Sequence, residues 1–225
     1  MANSPSNPFS MNKPFSFLKN EKNAIILLIA MHVAGIVGLA LPATRELFKL
    51  LVPFNLLANA VLILLFHKEW NKNFLIALGF VMLTGFSVEV AGVHTKAIFG
   101  NYWYKTTLGI KFFDVPLLIA VNWLIVIYTT SALVAEFQIT KPLKAILASV
   151  LTVGLDYLIE PIAIRYDFWD WAGGVVPLQN YLGWFCTALV LHFVFVCLPF
   201  QKNNKVAVAL YVCEVLFFVI LKSFS

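Results

Sequence analysis

Seven long apolar runs, separated by short polar segments, dominate the chain. They cover residues 24–41, 47–66, 74–91, 115–135, 143–164, 181–200 and 205–221. Each run approaches the roughly 20 residues that an α-helix needs to cross about 30 Å of hydrocarbon. The runs are continuous rather than alternating, which favours helices over the strands of a membrane barrel. The pattern therefore predicts an all-α, polytopic transmembrane bundle of about seven helices.

The segment before the first run has a different composition. Residues 1–22 are rich in Asn, Ser and Pro, which is typical of a disordered tail. The run that follows is long, and residues 41–43 form a poor cleavage site, so we expect a retained helix rather than a signal peptide. We predict a tail over residues 1–22 and a single transmembrane helical domain over residues 23–225.

The overall composition supports a membrane protein and excludes several other classes. The chain is 61% hydrophobic and 12% charged, whereas a soluble domain is about 45–50% apolar and about 25% charged. Its net charge of +5 comes from a few scattered residues, which argues against nucleic-acid binding. The three cysteines lie in apolar runs without a CxxC pair. Nucleotide, acyl-serine and zinc-protease motifs are absent, and we expect neither a metal nor a cofactor.

Reactive side chains gather in the two longest connections, near residues 92–114 and 165–180. Both connections follow odd-numbered helices, so they lie on the same face of the membrane. Six of the eleven carboxylates and five of the six tryptophans lie in these connections or in the adjoining helix ends. An interfacial aromatic belt explains part of this enrichment, but the opposite face has only Trp70. The asymmetry predicts a functional site on this face.

Three carboxylates in the apolar runs are the candidate catalytic groups. Asp156 and Glu160 are four residues apart and therefore share one face of the fifth helix. Glu89 lies near the end of the third helix, at a depth similar to that of Glu160, and Asp156 lies deepest. A charged side chain near the centre of a membrane helix costs about 2.5–3.5 kcal/mol. Structural contacts to a neighbouring Asn or Thr remain an alternative to catalysis.

Acids of this kind can protonate an apolar alkene. Deep burial beside another carboxylate favours the protonated form of a carboxyl group, which can then donate a proton. A carboxylate nearer water stays ionised and can accept a proton from a water molecule. Aromatic faces stabilise a transient cation. Together these features predict protonation of a hydrophobic C=C bond.

Other polar residues in the apolar runs have simpler interpretations. Asn55 and Asn59 share a face of the second helix, which is typical of side chains that join helices. His192 is interpreted as a hydrogen-bonded core histidine. Glu214 either pairs with His192 or lines the same cavity as the other acids. His94 either borders the site or anchors the chain at the membrane interface.

Several spaced motifs resemble one protein family. Residues 89–104 read EVAGVHTKAIFGNYWY and residues 155–161 read LDYLIEP. Residues 168–171 read FWDW, and residues 176–184 read VPLQNYLGW. In this order the segments are similar to the integral-membrane carotenoid biosynthesis proteins, whose characterised members are carotenoid 1,2-hydratases acting on acyclic (ψ) end groups. The family often has Asp where this chain has Glu160.

The resemblance implies hydration without a cofactor. A terminal isopropylidene C=C would be protonated, and water would capture the tertiary cation to give a tertiary alcohol. The implied substrate is a carotenoid of the lycopene or γ-carotene type, held by a multi-pass protein of the cell membrane. The lipid bilayer and other enzymes of the carotenoid pathway are the expected partners.

We expect the following roles in such a site. Asp156 is the general acid because it lies deepest, and Glu160 or Glu89 activates the water. The rings that surround the end group and stabilise the cation are Tyr102, Tyr104, Trp169 and Trp171. His94, Trp123 and Asn180 complete the predicted substrate-binding residues.

Two other functions remain open at this point. A carotenoid end-group cyclase needs the same protonation, but a neighbouring alkene rather than water captures the cation. Hydration adds the mass of one water, whereas cyclisation leaves the mass unchanged. A proton-coupled transporter or a lipid-binding membrane protein is the alternative from another class, because intramembrane acids also serve proton coupling.

Overall fold

The computed structural model describes residues 20–224, and seven long helices account for most of this part of the chain. They are α1 (Glu21–Ala40), α2 (Arg45–Leu65), α3 (Lys72–Thr95), α4 (Leu118–Ala135), α5 (Lys141–Arg165), α6 (Leu178–Cys197) and α7 (Lys205–Ser223). All seven are long and apolar enough to cross a membrane. The predicted all-α, polytopic bundle is confirmed. Of the predicted tail, residues 1–19 lie outside the described part, and α1 already begins at Glu21.

Asparagine side chains cap the N-termini of three of the odd-numbered helices. Asn20, Asn71 and Asn204 precede α1, α3 and α7, and each side-chain oxygen accepts a hydrogen bond from a backbone N–H of the first turn. Such caps satisfy donors that have no partner within the helix. Polar residues at the ends of the apolar runs therefore fix where these helices start.

Helix α4 forms the centre of the bundle. It packs against α2, α3, α5, α6 and α7, and 67% of its span is buried, the highest share among the seven helices. The surrounding helices expose large apolar side chains such as Phe54 and Leu83 on their outer faces. This distribution suits a bundle whose outside contacts lipid rather than water.

Short strands close one end of the bundle. They are β1 (Tyr102–Tyr104), β2 (Lys111–Phe112), β3 (Val115–Pro116) and β4 (Trp169–Trp171). β2 pairs with β3, and β1 pairs with β4, both antiparallel. The fourth apolar run was expected to be helical from residue 115. The pairing of β3 with β2 instead delays the start of α4 to Leu118.

The pair β1 and β4, here called the ribbon, directs four aromatic rings towards the helices. Tyr102 lies opposite Trp171, and Tyr104 lies opposite Trp169. Because side chains alternate along a strand, all four rings project from the same face of the ribbon. The ribbon therefore joins the two connections that the sequence singled out.

Ion pairs fasten the ribbon to the bundle. Asp167 accepts hydrogen bonds from Lys49 of α2 at 2.9 Å and from Lys105, directly after β1, at 3.0 Å. Lys105 also lies 3.2 Å from Asp170 in β4. Lys49 first, and then Lys105, hold the pKa of Asp167 below its usual value. The ribbon is thus tied to α2 by a carboxylate that is ionised at neutral pH.

We predict that Asp167→Asn lowers the melting temperature at neutral pH by an amount that becomes smaller in acid. The ion pairs are partly exposed, so the expected cost is below about 1 kcal/mol. A lowered pKa means that the stabilisation is present above the unfolded value of about 3.9 and is lost as the pH falls through the folded value. Thermal unfolding in detergent at pH 7 and pH 3 measures the difference.

Glu136→Gln is the control for this prediction, because the Glu136 side chain is exposed at the end of α4, away from the ribbon. It should leave the melting temperature unchanged at both pH values. An equal loss for Asp167→Asn at pH 7 and pH 3 would contradict the ionic attachment of the ribbon.

Candidate active site

Three buried carboxyl groups lie beneath the ribbon. Glu89 comes from α3, and Asp156 and Glu160 come from successive turns of α5. Their exposed fractions are 2%, 1% and 2%, so burial alone does not rank them. A buried carboxylate is costly unless donors surround it, which makes its hydrogen-bond partners the informative feature.

Glu89 has three donors. Its Oε2 accepts hydrogen bonds from the hydroxyls of Tyr102 at 2.6 Å and Tyr104 at 2.8 Å. Its Oε1 accepts one from the indole of Trp123 at 3.2 Å. Burial, and then the neighbouring Glu89, raise the pKa of both tyrosines, so their hydroxyls stay protonated. Donors of this kind stabilise the ionised form of Glu89.

Glu160 is held by the other strand of the ribbon. The indole N–H groups of Trp169 and Trp171 donate to its Oε2 at 2.9 Å and 2.8 Å. The amide of Asn180 on α6 donates to its Oε1 at 3.3 Å. The alternation of aromatic residues in β1 and β4 therefore delivers two donors to each of two acids.

Asp156 has the fewest donors of the three. Its Oδ2 accepts a hydrogen bond from Asn180 at 2.9 Å, and its Oδ1 has no partner within residues 20–224. One amide group thus bridges Asp156 and Glu160. Two ionised carboxylates this close in apolar surroundings repel each other, so the arrangement suits a pair that shares one proton.

The acid cavity is the small space that Glu89 and Glu160 line together. Other predicted site residues on its wall are Tyr102, Tyr104, Trp169, Trp171 and Asn180. The cavity offers about 20 Å³ to a water-sized molecule, and a buried water needs about 10–15 Å³ on the same measure. It therefore has room for one water beside two carboxyl groups.

A larger apolar cavity adjoins the acid cavity. It offers about 90 Å³ on the same measure and lies among α1, α2, α4, α5 and α7. Ile119, Asn122 and Trp169 line both cavities. An apolar group that fills the larger space would therefore lie against the wall of the smaller one.

Three predicted site residues do not line the acid cavity. Asp156 contacts Asn180, which does line the cavity, through a hydrogen bond. Trp123 donates a hydrogen bond to Glu89 and stacks on Trp184, with 4.2 Å between the ring centroids. His94 lies outside, with its Nε2 at 3.3 Å from a backbone carbonyl oxygen in the loop before β3. The structure brings the other seven predicted residues together.

Sequence analysis missed four residues of the acid cavity: Phe99, Ile119, Asn122 and Trp184. Asn122 carried a usable signal, because it is a polar residue inside an apolar run next to Trp123. Phe99 and Ile119 carried none, since apolar residues are ordinary in such a chain. Within residues 20–224, no group of three or more His, Cys, Asp and Glu side chains is arranged to hold a metal ion.

The polar residues deeper in the bundle divide into two kinds. His192 has Ser131 at 2.9 Å from its Nδ1 and Thr152 at 3.1 Å from its Nε2, as expected for a hydrogen-bonded core histidine. Glu214 does not pair with His192 and lines the apolar cavity instead. Asn59 lines that cavity too, and its Oδ1 has no partner within the described residues, so it does not join helices through this atom.

Close contact between α3 and α4 positions the donor to Glu89. A Cβ atom at Gly85 would lie 2.5 Å from Cγ of Trp123. Trp123 is fully buried against α3, and only a glycine leaves room for its indole there. The donor to Glu89 therefore depends on the missing side chain at Gly85.

Comparison with known proteins identified a matching family. A family model described as carotenoid biosynthesis protein matches residues 48–225. The match extends well beyond the motifs quoted above and includes almost all of α2 and the whole of α7. No curated protein and no solved structure matches the chain.

We predict that Gly85→Ala destabilises the protein by about 1–3 kcal/mol, because the added methyl group overfills a packed contact. Gly79→Ala on the same helix is the matched control, since its Cβ would meet nothing within 4 Å. It should be neutral or stabilising by up to about 1 kcal/mol, because alanine favours the helix. Denaturant unfolding in detergent measures both. Equal stabilities of the two variants would contradict the close packing at Trp123.

Proposed function

The chain belongs to the carotenoid biosynthesis protein family, and on this basis we propose that it is a carotenoid hydratase. In this proposal it adds water to the terminal C=C bond of an acyclic (ψ) carotenoid end group and forms a tertiary alcohol. The substrate is a carotenoid of the lycopene or γ-carotene type. The family supports a role in carotenoid biosynthesis, and the site geometry is our argument for hydration.

The observation that carries the proposal is the pairing of a water-sized acid cavity with a larger apolar cavity. Hydration needs a water molecule, an acid and an apolar end group in contact. The acid cavity has room for one water, and the apolar cavity can hold the end group. The two spaces share Ile119, Asn122 and Trp169 as walls. Because Glu160 lines only the acid cavity, the terminal C=C bond must reach past these shared residues to be protonated, and water is the nearest neutral nucleophile there.

The reaction would begin with protonation of the alkene. Glu160 donates its proton to the less substituted alkene carbon, which leaves the positive charge on the carbon with two methyl groups. The rings of Trp169 and the neighbouring aromatic residues stabilise this tertiary cation. We assign the donor role to Glu160 rather than Asp156 because only Glu160 lines the acid cavity. Asp156 then acts on Glu160 through the shared amide of Asn180.

Water would complete the reaction. Its oxygen bonds to the cation while Glu89 accepts one of its protons, which produces the tertiary alcohol. Glu89 and Glu160 each accept three hydrogen bonds, but Glu160 shares the amide of Asn180 with Asp156, so that pair holds a proton while Glu89 is free to act as the base. The proton on Glu89 must return to Glu160 before the next turnover, and the next water that enters the acid cavity lies between them. One alkene and one water are consumed, without oxidation or reduction.

A cyclase would use the same first step but needs water kept away from the cation. A water-sized space lined by two acids is unsuited to that requirement, which is why we favour hydration. The seven apolar helices make the chain a multi-pass membrane protein. We place it in the cell membrane, where the apolar substrate partitions, beside other enzymes of the carotenoid pathway.

We predict that the full chain, expressed in a bacterial host that accumulates lycopene or γ-carotene, produces a carotenoid heavier by one water. Growth in heavy-oxygen water should place the label in the new hydroxyl group. Mass spectrometry of extracted pigments measures both properties, with an empty-vector strain as the control. A product of unchanged mass would support the cyclase, and an unlabelled hydroxyl would exclude hydration of these substrates.

We predict that Glu160→Gln lowers hydratase activity at least about 10²-fold, because general acid catalysis contributes roughly 10²–10⁴-fold. Asp156→Asn should reduce activity less, since Asp156 acts only through its neighbour. The exposed Glu136→Gln is the matched control and should leave activity unchanged. Product formed per amount of folded protein measures each variant. An inactive Asp156→Asn together with an active Glu160→Gln would assign the acid to Asp156.

A further inference from the structure

Two buried side chains that each have an unpaired oxygen and no use in the proposed reaction lie among the five polar residues that line the apolar cavity. Asn59 reaches it from α2 and Glu214 reaches it from α7, and their exposed fractions are 2% and 8%. Neither Oδ1 of Asn59 nor Oε2 of Glu214 has a hydrogen-bond partner within residues 20–224. Both residues line a cavity inside the bundle.

Unpaired atoms of this kind are exceptional in this bundle. Asn204 is equally buried, and it bonds to the carbonyl of Ile63 and to the hydroxyl of Tyr128. A buried polar group without a partner costs about 1–3 kcal/mol. Of the three unpaired buried side-chain atoms within residues 20–224, two lie on the apolar cavity. The simplest physical explanation is that a ligand supplies the missing partner.

The chemistry of these atoms defines the missing group. A side-chain amide oxygen accepts hydrogen bonds, and a carboxyl oxygen accepts or donates one according to its protonation state. His32 adds a further acceptor to the same wall. Its Nδ1 lies 2.8 Å from the carbonyl of Leu28, so Nδ1 carries the proton and Nε2 has a lone pair. A neutral O–H group fits this set better than a carbonyl or a second carboxylate does.

The rest of the cavity requires an apolar ligand. Most of its wall is aliphatic or aromatic, including Leu155, Ile159 and Phe218. A groove between α1 and α2 adjoins the cavity and shares Val52 and Phe217 with it, and Phe54 in this groove is 67% exposed. A long apolar chain that enters from the lipid would therefore need only Val52 and Phe217 to move aside in order to reach the cavity.

We propose that the apolar cavity binds a long apolar chain that carries a hydroxyl group, with the hydroxyl bound by Asn59 and Glu214. The inference rests on the proposed function in placing the carotenoid in this cavity, and it adds a substrate class. The chain should prefer an isoprenoid alcohol, such as a carotenoid already hydroxylated, to the corresponding hydrocarbon. A structural water is the other source of an O–H group, and the experiment separates the two.

The test compares two C18 conjugated tetraenes of equal length, one a terminal alcohol and one a hydrocarbon. The full chain in lipid nanodiscs is titrated with each, and energy transfer from tryptophan reports binding because Trp169 lines the cavity. The ratio of the two affinities is compared between proteins, which cancels partition into lipid. We expect the wild type to favour the alcohol about five- to tenfold, the effect of one hydrogen bond.

The double variant Asn59→Leu, Glu214→Leu should lose this preference while binding the hydrocarbon at least as well. Glu214→Gln keeps a hydrogen-bonding group and should retain part of the preference for the alcohol. This variant gives a result even if the double variant does not fold. Glu136→Gln is the exposed control. Equal wild-type affinities for the two tetraenes would indicate that a water occupies the site instead of the ligand, and would overturn the proposal. A preference for the alcohol that survives the double substitution would also overturn it, because Asn59 and Glu214 would then not bind the hydroxyl.

These outcomes are independent of the hydratase assay. If the preference is found but no carotenoid gains water, the hydroxyl site stands and the hydratase proposal fails. If lycopene is hydrated and the preference is absent, the hydratase proposal stands and the hydroxyl site fails.

Discussion

The need to neutralise buried carboxyl groups governs the end of the bundle where the site lies. Glu89 and Glu160 are almost fully buried among apolar helices, where an unpaired carboxylate costs several kcal/mol. The helices supply only part of the compensation, through Trp123 and Asn180. The remaining donors are the four rings of the ribbon. The carboxyl groups therefore hold the ribbon in place as much as the ribbon encloses them.

This mutual dependence shapes the chemistry of the site. Because Tyr102 and Tyr104 both reach Glu89 while Trp169 and Trp171 both reach Glu160, the rings leave only a water-sized space between the acids. A looser cover would admit bulk water and quench any cation without selectivity. A tighter cover would exclude the single water that hydration needs. The number of donors distinguishes Asp156, which has one, from Glu89 and Glu160, which have three each.

Sequence alone predicted the helices well and the closure of the site poorly. Apolar runs determine helix number because a lipid-exposed backbone must satisfy its own hydrogen bonds. The four-residue spacing of Asp156 and Glu160 correctly indicated neighbouring positions on one helix face, but spacing does not reveal which acid borders a cavity. The ribbon pairs segments more than sixty residues apart, and three-residue strands lack a periodic signal of their own. His94 illustrates the same limit of sequence analysis. It lies in one of the quoted motifs, but the motif does not reveal that the side chain lies outside the acid cavity.

The difference between paired and unpaired polar atoms separates structural residues from ligand-binding ones in this bundle. His192 and Asn204 are also buried, and their polar groups have partners on neighbouring helices, so they stabilise packing. The unpaired oxygens of Asn59 and Glu214 lie on the cavity that adjoins the acids. A polar residue that only joined helices would gain nothing from facing an empty space. The positions of these unpaired oxygens therefore support the proposed hydroxyl-binding pair in the apolar cavity, which shares three wall residues with the acid cavity.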